Sequence, residues 1–337
     1  MKIYNNNIDM EIDIKELLKK HQIKITIEKI VEIYNNSGRV YHNFNHIVNM
    51  LKNIKVYSEE LIIAILFHDI VYKYDSKCNE IDSYNFFIEN YDGNDKEFKE
   101  NIKKAILATG LPLNEILGEL EKEMVRLDRL ILYSTDLGEL LEWEEGIFKE
   151  YQVYKVNIYK EKRIEFLEKA YEETKNEKLI ILKEIVRSKK YKIGFYPGSF
   201  NPFHIGHYNI LLKAEKIFDK VIIGVGVNYE KLKNERYEIP KKLSNREIIE
   251  YSGLITTAIE ELQEEGEIFV VRGLRNEYDL QYEENLRNSI KDFLPKQYFA
   301  YFFCDKEYEH ISSSLIRDIR SREDRNIADF IKKYCLE

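Results

Sequence analysis

Seven histidines occur in the chain, and five of them fall in three tight groups: His42 with His46, His68 beside Asp69, and His204 with His207. The first pair lies in Tyr41-His42-Asn43-Phe44-Asn45-His46, a spacing of four that puts both imidazoles on one face of a helix. His68-Asp69 closes an apolar stretch, Leu61 to Ile70. Burying a charged carboxylate there costs on the order of several kcal/mol unless a cation or a partner compensates it. A divalent ion is the economical partner, since it accepts imidazole nitrogen and carboxylate oxygen together, and ligands drawn from separate helices would form a hydrolytic metal centre. A further carboxylate is required. Asp136 supplies one in an otherwise apolar segment, with Asp128 as its competitor. Asn79, Glu80 and Asp82 either add outer contacts or simply begin an acidic helix.

The third group lies in Pro197-Gly198-Ser199-Phe200-Asn201-Pro202-Phe203-His204-Ile205-Gly206-His207, between a predicted strand at Lys192 to Tyr196 and an amphipathic helix. A Gly-Ser turn followed by a helix N-terminus aims backbone N–H groups at one spot, where the helix dipole favours a phosphate. Two histidines there can donate to phosphate oxygens as charge develops in a transition state. No serine or cysteine nucleophile with a base is suggested, so the expected chemistry is direct displacement at phosphorus by a substrate phosphate. Arg272-Gly273-Leu274-Arg275 follows a predicted strand at Ile268 to Val271, and Ile311-Ser312-Ser313-Ser314-Leu315-Ile316-Arg317 follows one at Tyr298 to Phe303. All three motifs therefore sit at the C-terminal ends of predicted parallel strands, where open α/β sheets bind ligands.

The elements that must position these groups change character near Lys190. From Ile12 to about Ser188 apolar residues recur at helical spacing, as in Ile23, Ile27, Ile30, Val31 and Tyr34, and the first half reads as all helix. After Arg187-Ser188-Lys189-Lys190, short β-type runs, Val221 to Val227 among them, alternate with helices, the pattern of a parallel sheet. A length of 337 residues also predicts two domains, here 1–190 and 191–337. With 44% hydrophobic and 33% charged residues, five Pro and 14 Gly, most of the chain should fold. A net charge of -8 argues against a protein that blankets nucleic acid. No apolar run approaches the ~20 residues of a membrane span, and Met1 to Ile14 lacks the basic-then-apolar pattern of a signal peptide. The chain reads as cytoplasmic. Cys78, Cys304 and Cys335 are widely spread and read as reduced thiols. The stripe Phe299, Tyr301, Phe303 reads as core, the acidic runs Glu142 to Glu150 and Glu260 to Glu267 as solvated helix faces, and Trp143 as packing.

At its helical motifs the chain resembles the HD superfamily of metal-dependent phosphohydrolases, whose pattern is a first His, a His-Asp doublet and a distant Asp. The resemblance covers roughly Tyr34 to Tyr171. It implies an all-α HD domain in which His46, His68, Asp69 and Asp136 bind a divalent metal such as Mn²⁺, Mg²⁺, Fe²⁺ or Co²⁺. It also implies that His42 protonates the leaving oxygen, a role that suits an imidazole near neutral pH. The implied substrate is a phosphate ester or nucleotide; a non-hydrolytic, nucleotide-sensing regulatory role is the alternative.

From Lys192 to about Ile319 the chain resembles the HIGH-motif nucleotidyltransferases, and among them the phosphopantetheine adenylyltransferases, through FYPGSFNP, VIIGVGVN, VVRGLRNEYDLQYE and HISSSLIR. That resemblance implies a Rossmann-like α/β domain, ATP with Mg²⁺ as cofactor, and a pyrophosphate product. By it Ser199 and His207 hold the ATP phosphates, with Phe200 and His204 in the same cradle, and Lys231 neutralises the phosphoryl groups in transfer. Arg272 and Arg275 bind phosphates or ribose, Glu283 the adenosine part, and Ser312, Ser313 and Ser314 the triphosphate; His207, Lys231 and Arg272 are the catalytic set. The segment Arg246 to Ser252 is shorter than in the family, and Asn288-Ser289-Ile290-Lys291 differs from its usual acceptor-pocket residues. The acceptor is therefore 4'-phosphopantetheine or a similar phosphorylated molecule such as nicotinate mononucleotide. The expected partners are small phosphorylated substrates, with neither nucleic acid nor membrane, and homo-oligomer formation stays open.

Overall fold

The computed structural model describes residues 1–36, 38–111, 115, 118–227, 240, 243–275, 277–321 and 327–335. They form two compact units, one of residues 1–150 and 163–186, the other of residues 151–162 and 187–337.

In the first unit a hairpin of β1 (Lys2–Asn5) and β2 (Met10–Asp13) precedes the helices α1 (Ile14–Lys20), α2 (Ile27–Tyr34), α3 (Phe44–Lys52), α4 (Glu59–Phe67), α5 (Asn79–Asn90), α6 (Lys96–Ala108), α7 (Glu119–Asp128) and α8 (Leu137–Glu150). Helix α9 (Val156–Thr174) is divided between the units, and α10 (Glu177–Ser188) lies almost wholly in the first. The expectation of an all-helical first half thus fails at its start. Residues 2–5 alternate exposed and buried, and inward Asn5 is satisfied because its Nδ2 donates to the Leu51 and Ile54 carbonyls at 2.7 and 3.1 Å. Four residues of period 2 are too short a signal beside the helical pattern that follows.

Helix α4 is the axis of this unit. Ser58 caps it by accepting from the Leu61 N–H, and every residue from Leu61 to Phe67 is buried, as a helix that is apolar all round must be. Each of the Leu, Ile and Phe side chains among them contributes roughly 1.5–3 kcal/mol on burial, so the end of α4, where His68 and Asp69 follow, is firmly fixed.

The second unit contains β3 (Lys192–Gly198), α11 (Ile205–Ala214), β4 (Lys220–Gly226), β5 (Ile248–Tyr251), α12 (Ile255–Leu262), β6 (Glu267–Leu274), α13 (Glu277–Phe293), β7 (Tyr298–Phe303), α14 (Ser313–Arg320) and α15 (Ile327–Tyr334). Its five strands lie in the order β5-β4-β3-β6-β7 and every neighbouring pair is parallel. Strands β3 and β4 are buried over nearly their whole length, as expected where helices cover both faces of a sheet. The four expected strands are present. The fifth, β5, falls in the Arg246 to Ser252 segment; it is a half-exposed edge without apolar alternation, and so left no pattern to read.

Three smaller expectations also change. Strand β7 is an edge, and its stripe is only partly covered, with Phe303 61% exposed. Glu144 and Glu150, on the supposedly solvated face of α8, are buried. Glu265 is buried too, beside Glu247 and the fully buried Lys220, whose Nζ also donates to the Tyr154 carbonyl. None of the described helices is long and apolar enough to cross a membrane.

Candidate active sites

The C-terminal residue of α7 and the residues after α4 meet α3 in a polar knot. One donor atom from each of His46, His68, Asp69 and Asp128 lies within 4.8 Å of every other. His46 Nε2 is 3.2 Å from Asp128 Oδ1, and His68 Nε2 is 3.2 Å from Asp69 Oδ2 and 3.5 Å from Asp128 Oδ1. His68 Nδ1 is 3.0 Å from the Ile65 carbonyl, which can only accept, so Nδ1 carries the proton and the neutral ring turns its Nε2 lone pair toward two carboxylates. That nitrogen is buried without a hydrogen-bond partner among the described residues. Lone pairs facing carboxylates demand a positive charge between them. In the protein alone a proton answers: burial opposes it, but Asp69 and Asp128 raise His68 well above the ordinary imidazole range. Burial likewise pushes Asp128 up, yet the His46 and His68 rings hold it far below the usual carboxylate range. The same donor set fits a divalent ion.

Asp136, the expected fourth carboxylate, is not brought to this cluster. It is exposed and caps α8, its Oδ1 accepting from the Gly138 N–H at 2.7 Å, a role for which Asp is strongly suited. Its competitor Asp128 takes the place. Asn79 is engaged by the Lys73 backbone instead.

His42 stands beside the knot, its ring 6.1 Å from that of His46. Its Nδ1 is 2.6 Å from Glu150 Oε2, and its ring stacks on Tyr72 at 4.6 Å. The other Glu150 oxygen accepts the backbone N–H groups of Val40, Tyr41 and His42 at 2.7, 2.7 and 2.9 Å. Burial lowers the His42 pKa, but the hydrogen bond and charge of Glu150 outweigh it and raise it overall. Arg39 ties the same loop to α4's end, donating to the Asp69 and Ile70 carbonyls at 2.6 and 2.9 Å. Sequence reasoning missed Glu150 and Arg39. The signal for Glu150 was its position three residues after Ile147, on the face of α8 that carries Leu140, Trp143 and Ile147.

In the second unit the loop after β3 delivers both remaining clustered histidines to the start of α11. His204 is the N-cap: its Nδ1 accepts from the Gly206 N–H at 3.1 Å, and His207 Nδ1 accepts from the His204 N–H at 3.3 Å. This is a capping box built from two imidazoles. A backbone N–H can only donate, so both Nδ1 atoms are acceptors and both neutral rings carry their proton on Nε2. The rings stack at 3.7 Å. A side chain at Gly206 would lie 3.0 Å from the His204 ring, so a larger residue here would press on the stacked imidazoles. Burial, with Arg275 adding to it, pushes His204 down to about 4; burial, the His204 ring and Arg275 push His207 well below the ordinary range. Phe200 adopts φ +43°, a strained conformation for a bulky residue. Its ring is 2% exposed and packs edge-on against His207 at 5.0 Å, so it braces the cradle.

A cleft of about 450 Å³ opens here, lined by Ser199, His204 and His207 together with Ser312 to Ser314 and Arg317. Ser312 caps α14 by accepting from the Leu315 N–H, so two helix N-termini serve the cleft. Ser313 Oγ donates to the Pro202 carbonyl at 3.1 Å, and Arg317, a residue not singled out from sequence, donates to that of Asn201. Arg272 is clamped by Glu283 through two bonds of 2.6 Å and donates to the Pro197 carbonyl at 3.0 Å. Arg275 pairs with Asp279 at the rim. Lys231 lies outside the described residues.

Residues 195–319 match the cytidylyltransferase-like family model. The phosphopantetheine adenylyltransferase of Mycoplasma capricolum subsp. capricolum is 40% identical over 136 residues, which are 38% of this chain and 96% of that protein. Through this stretch the chain belongs to the phosphopantetheine adenylyltransferase family. The enzyme of that name from Cytophaga hutchinsonii is 36% identical over 150 residues, 42% of this chain and 96% of its own length. The second unit is accordingly a nucleotidyltransferase, and the cleft between the histidine capping box and the serine-capped helix lies inside the matched region.

Proposed function

We propose that the C-terminal unit transfers the AMP part of ATP, supplied with Mg²⁺, to 4'-phosphopantetheine, and that the N-terminal unit hydrolyses a phosphate ester or nucleotide. The observation that carries the first reading is the capping box of His204 and His207, which fixes two Nε2–H donors at a helix N-terminus in the cleft. In the transfer a phosphate oxygen of the acceptor bonds to the α-phosphorus as the bond to the β-phosphate oxygen breaks, and pyrophosphate leaves. His204 and His207 donate to the non-bridging oxygens, where charge builds as phosphorus becomes five-coordinate. The N-terminus of α14 and the side chain of Ser314 hold the triphosphate. Arg272 has five N–H donors, and three are used on Glu283 and Pro197; the others serve phosphate or ribose. The family of the relatives supports adenylyl transfer.

For the N-terminal unit the carrying observation is the unpartnered His68 Nε2 facing Asp69 and Asp128. A divalent ion held by His46, His68, Asp69 and Asp128 would supply Lewis-acid activation of water and of the phosphate. His42, kept protonated and oriented by Glu150, gives a proton to the leaving oxygen. Both readings are tested on the full chain. Pyrophosphate should be released from ATP only when an acceptor is present, with phosphopantetheine preferred over nicotinate mononucleotide. Separately, phosphate or nucleoside should be released from a nucleotide panel when Mn²⁺ or Mg²⁺ is added and not after chelation.

A further inference from the structure

The face of the sheet that carries Arg272 holds two buried polar atoms that the transfer chemistry above does not use. Gly273 lies against Ile210 of α11, at 2.9 Å from where its Cβ would stand, so Arg272, one residue earlier, points to the opposite face. There α13 covers it, as the Arg272–Glu283 pair shows. Tyr301 of β7 is the in-register neighbour of Arg272, and parallel partners project to the same side. Arg287 follows Glu283 by four residues on α13, hence on the same helix face. Among the described residues, Tyr301 Oη and Arg287 Nε are both buried without a hydrogen-bond partner. Native proteins rarely leave such groups unpaired, because each has lost its water for nothing. Arg272 and Glu283 line the nucleotide cleft; Tyr301 is the register neighbour of the first and Arg287 stands one helical turn beyond the second.

We propose that Arg287 and Tyr301 form an acceptor-specificity subsite of the transferase, which binds an oxygen on the acceptor remote from its reacting phosphate. The ligand chemistry follows from the donors. An Nε–H and a phenol O–H that are both buried and unpaired match a carbonyl or carboxylate oxygen and reject an all-hydrocarbon arm. The burial that raises Tyr301 above the ordinary phenol range, with Arg287 counteracting it, is consistent with the two groups sensing one another. Glu283 joins the two regions, since it clamps Arg272 at the cleft and stands one helical turn before Arg287. This subsite rests on the adenylyl-transfer reading.

The test is steady-state pyrophosphate release by the full chain and by Arg287→Met and Tyr301→Phe, with two acceptors: phosphopantetheine, whose arm offers amide carbonyls, and nicotinate mononucleotide, which offers a carboxylate. On whichever acceptor the wild type uses, each variant should raise the acceptor KM by roughly 10- to 100-fold, as expected for losing one bond in a site built to make it. The KM for ATP and the melting temperature should stay put, which a merely structural defect would not allow. Turnover of phosphopantetheine with that effect identifies an amide carbonyl as the oxygen. Turnover of nicotinate mononucleotide alone, with the same effect, overturns the proposed acceptor and keeps the subsite. Unchanged acceptor KM in both variants, or an equal rise in the KM for ATP, overturns the subsite while leaving the transferase intact. A wild type that releases pyrophosphate with neither acceptor overturns both.

Discussion

Replacing His207 separates chemistry from architecture in the transferase cleft. Its Nδ1 accepts the His204 N–H at a rather long 3.3 Å, so the capping contribution is worth about 1 kcal/mol or less. Its Nε2–H, by contrast, is a fixed donor in a buried site, and losing one such donor to a developing oxyanion costs about 3 kcal/mol, on the order of 10²-fold in kcat. His207→Ala removes both contributions. His207→Gln places at the third helical position a residue that suits a capping box, so it should recover the melting temperature without recovering kcat. The assay is continuous pyrophosphate release at saturating ATP and acceptor, beside thermal unfolding of each variant. Burial holds His207 well below the ordinary imidazole range, so the working ring is neutral, and lowering the pH from 8 to 6 should not accelerate transfer through it. If both variants turn over within about threefold of wild type, or if kcat climbs as the pH falls through the imidazole range, the donor assignment is wrong.

Three more outcomes follow from the geometry. His204 titrates at about 4 in the folded chain against ~6.5 when unfolded; the unfolded state then binds the proton first, so stability should fall by about 3 kcal/mol as pH drops from 6.5 to 4. Urea titrations across that range should show the loss, and His204→Asn, which keeps an N-cap, should shrink it to the part contributed by His207, which is held low as well. Asp128→Ala should abolish divalent metal binding measured by elemental analysis, whereas Asp136→Asn should retain it, since Asp136 only caps α8; the reverse pattern would restore Asp136 as the ligand. Glu150→Gln should keep the metal while lowering phosphohydrolase kcat by about 10-fold or more, because His42 loses the charge that keeps it protonated; unchanged kcat would make Glu150 a purely structural anchor of residues 40–42.

The parts legible from sequence were those with a strong local signature. The parallel strands are apolar runs set between helices, and the histidine groups are clustered at helix starts and ends, so residue type and spacing pointed to both candidate clusters. What escaped depended on contacts distant in the chain. Asp128 and Asp136 are both acids near apolar residues, and only the fold shows that one closes the distance to His46 while the other caps a helix. Glu150 is 108 residues from the histidine it holds, and its carboxylate sits in a run that charge patterning alone assigns to solvent. The two hairpin strands and β5 are four residues each, too short for periodicity to register. Tyr301 is tied to the Arg272–Glu283 pair through sheet register and Arg287 through one helical turn, neither of which a linear reading supplies.

The most direct test of the central claim is to incubate the full chain with ATP, Mg²⁺ and 4'-phosphopantetheine, and to quantify pyrophosphate together with the adenylylated product by mass spectrometry. The two should appear in equal amounts, only with all components present, and the rate should fall on the order of 10²-fold in His207→Ala. Pyrophosphate without an adenylylated acceptor, or product formation that His207→Ala leaves intact, would contradict the account.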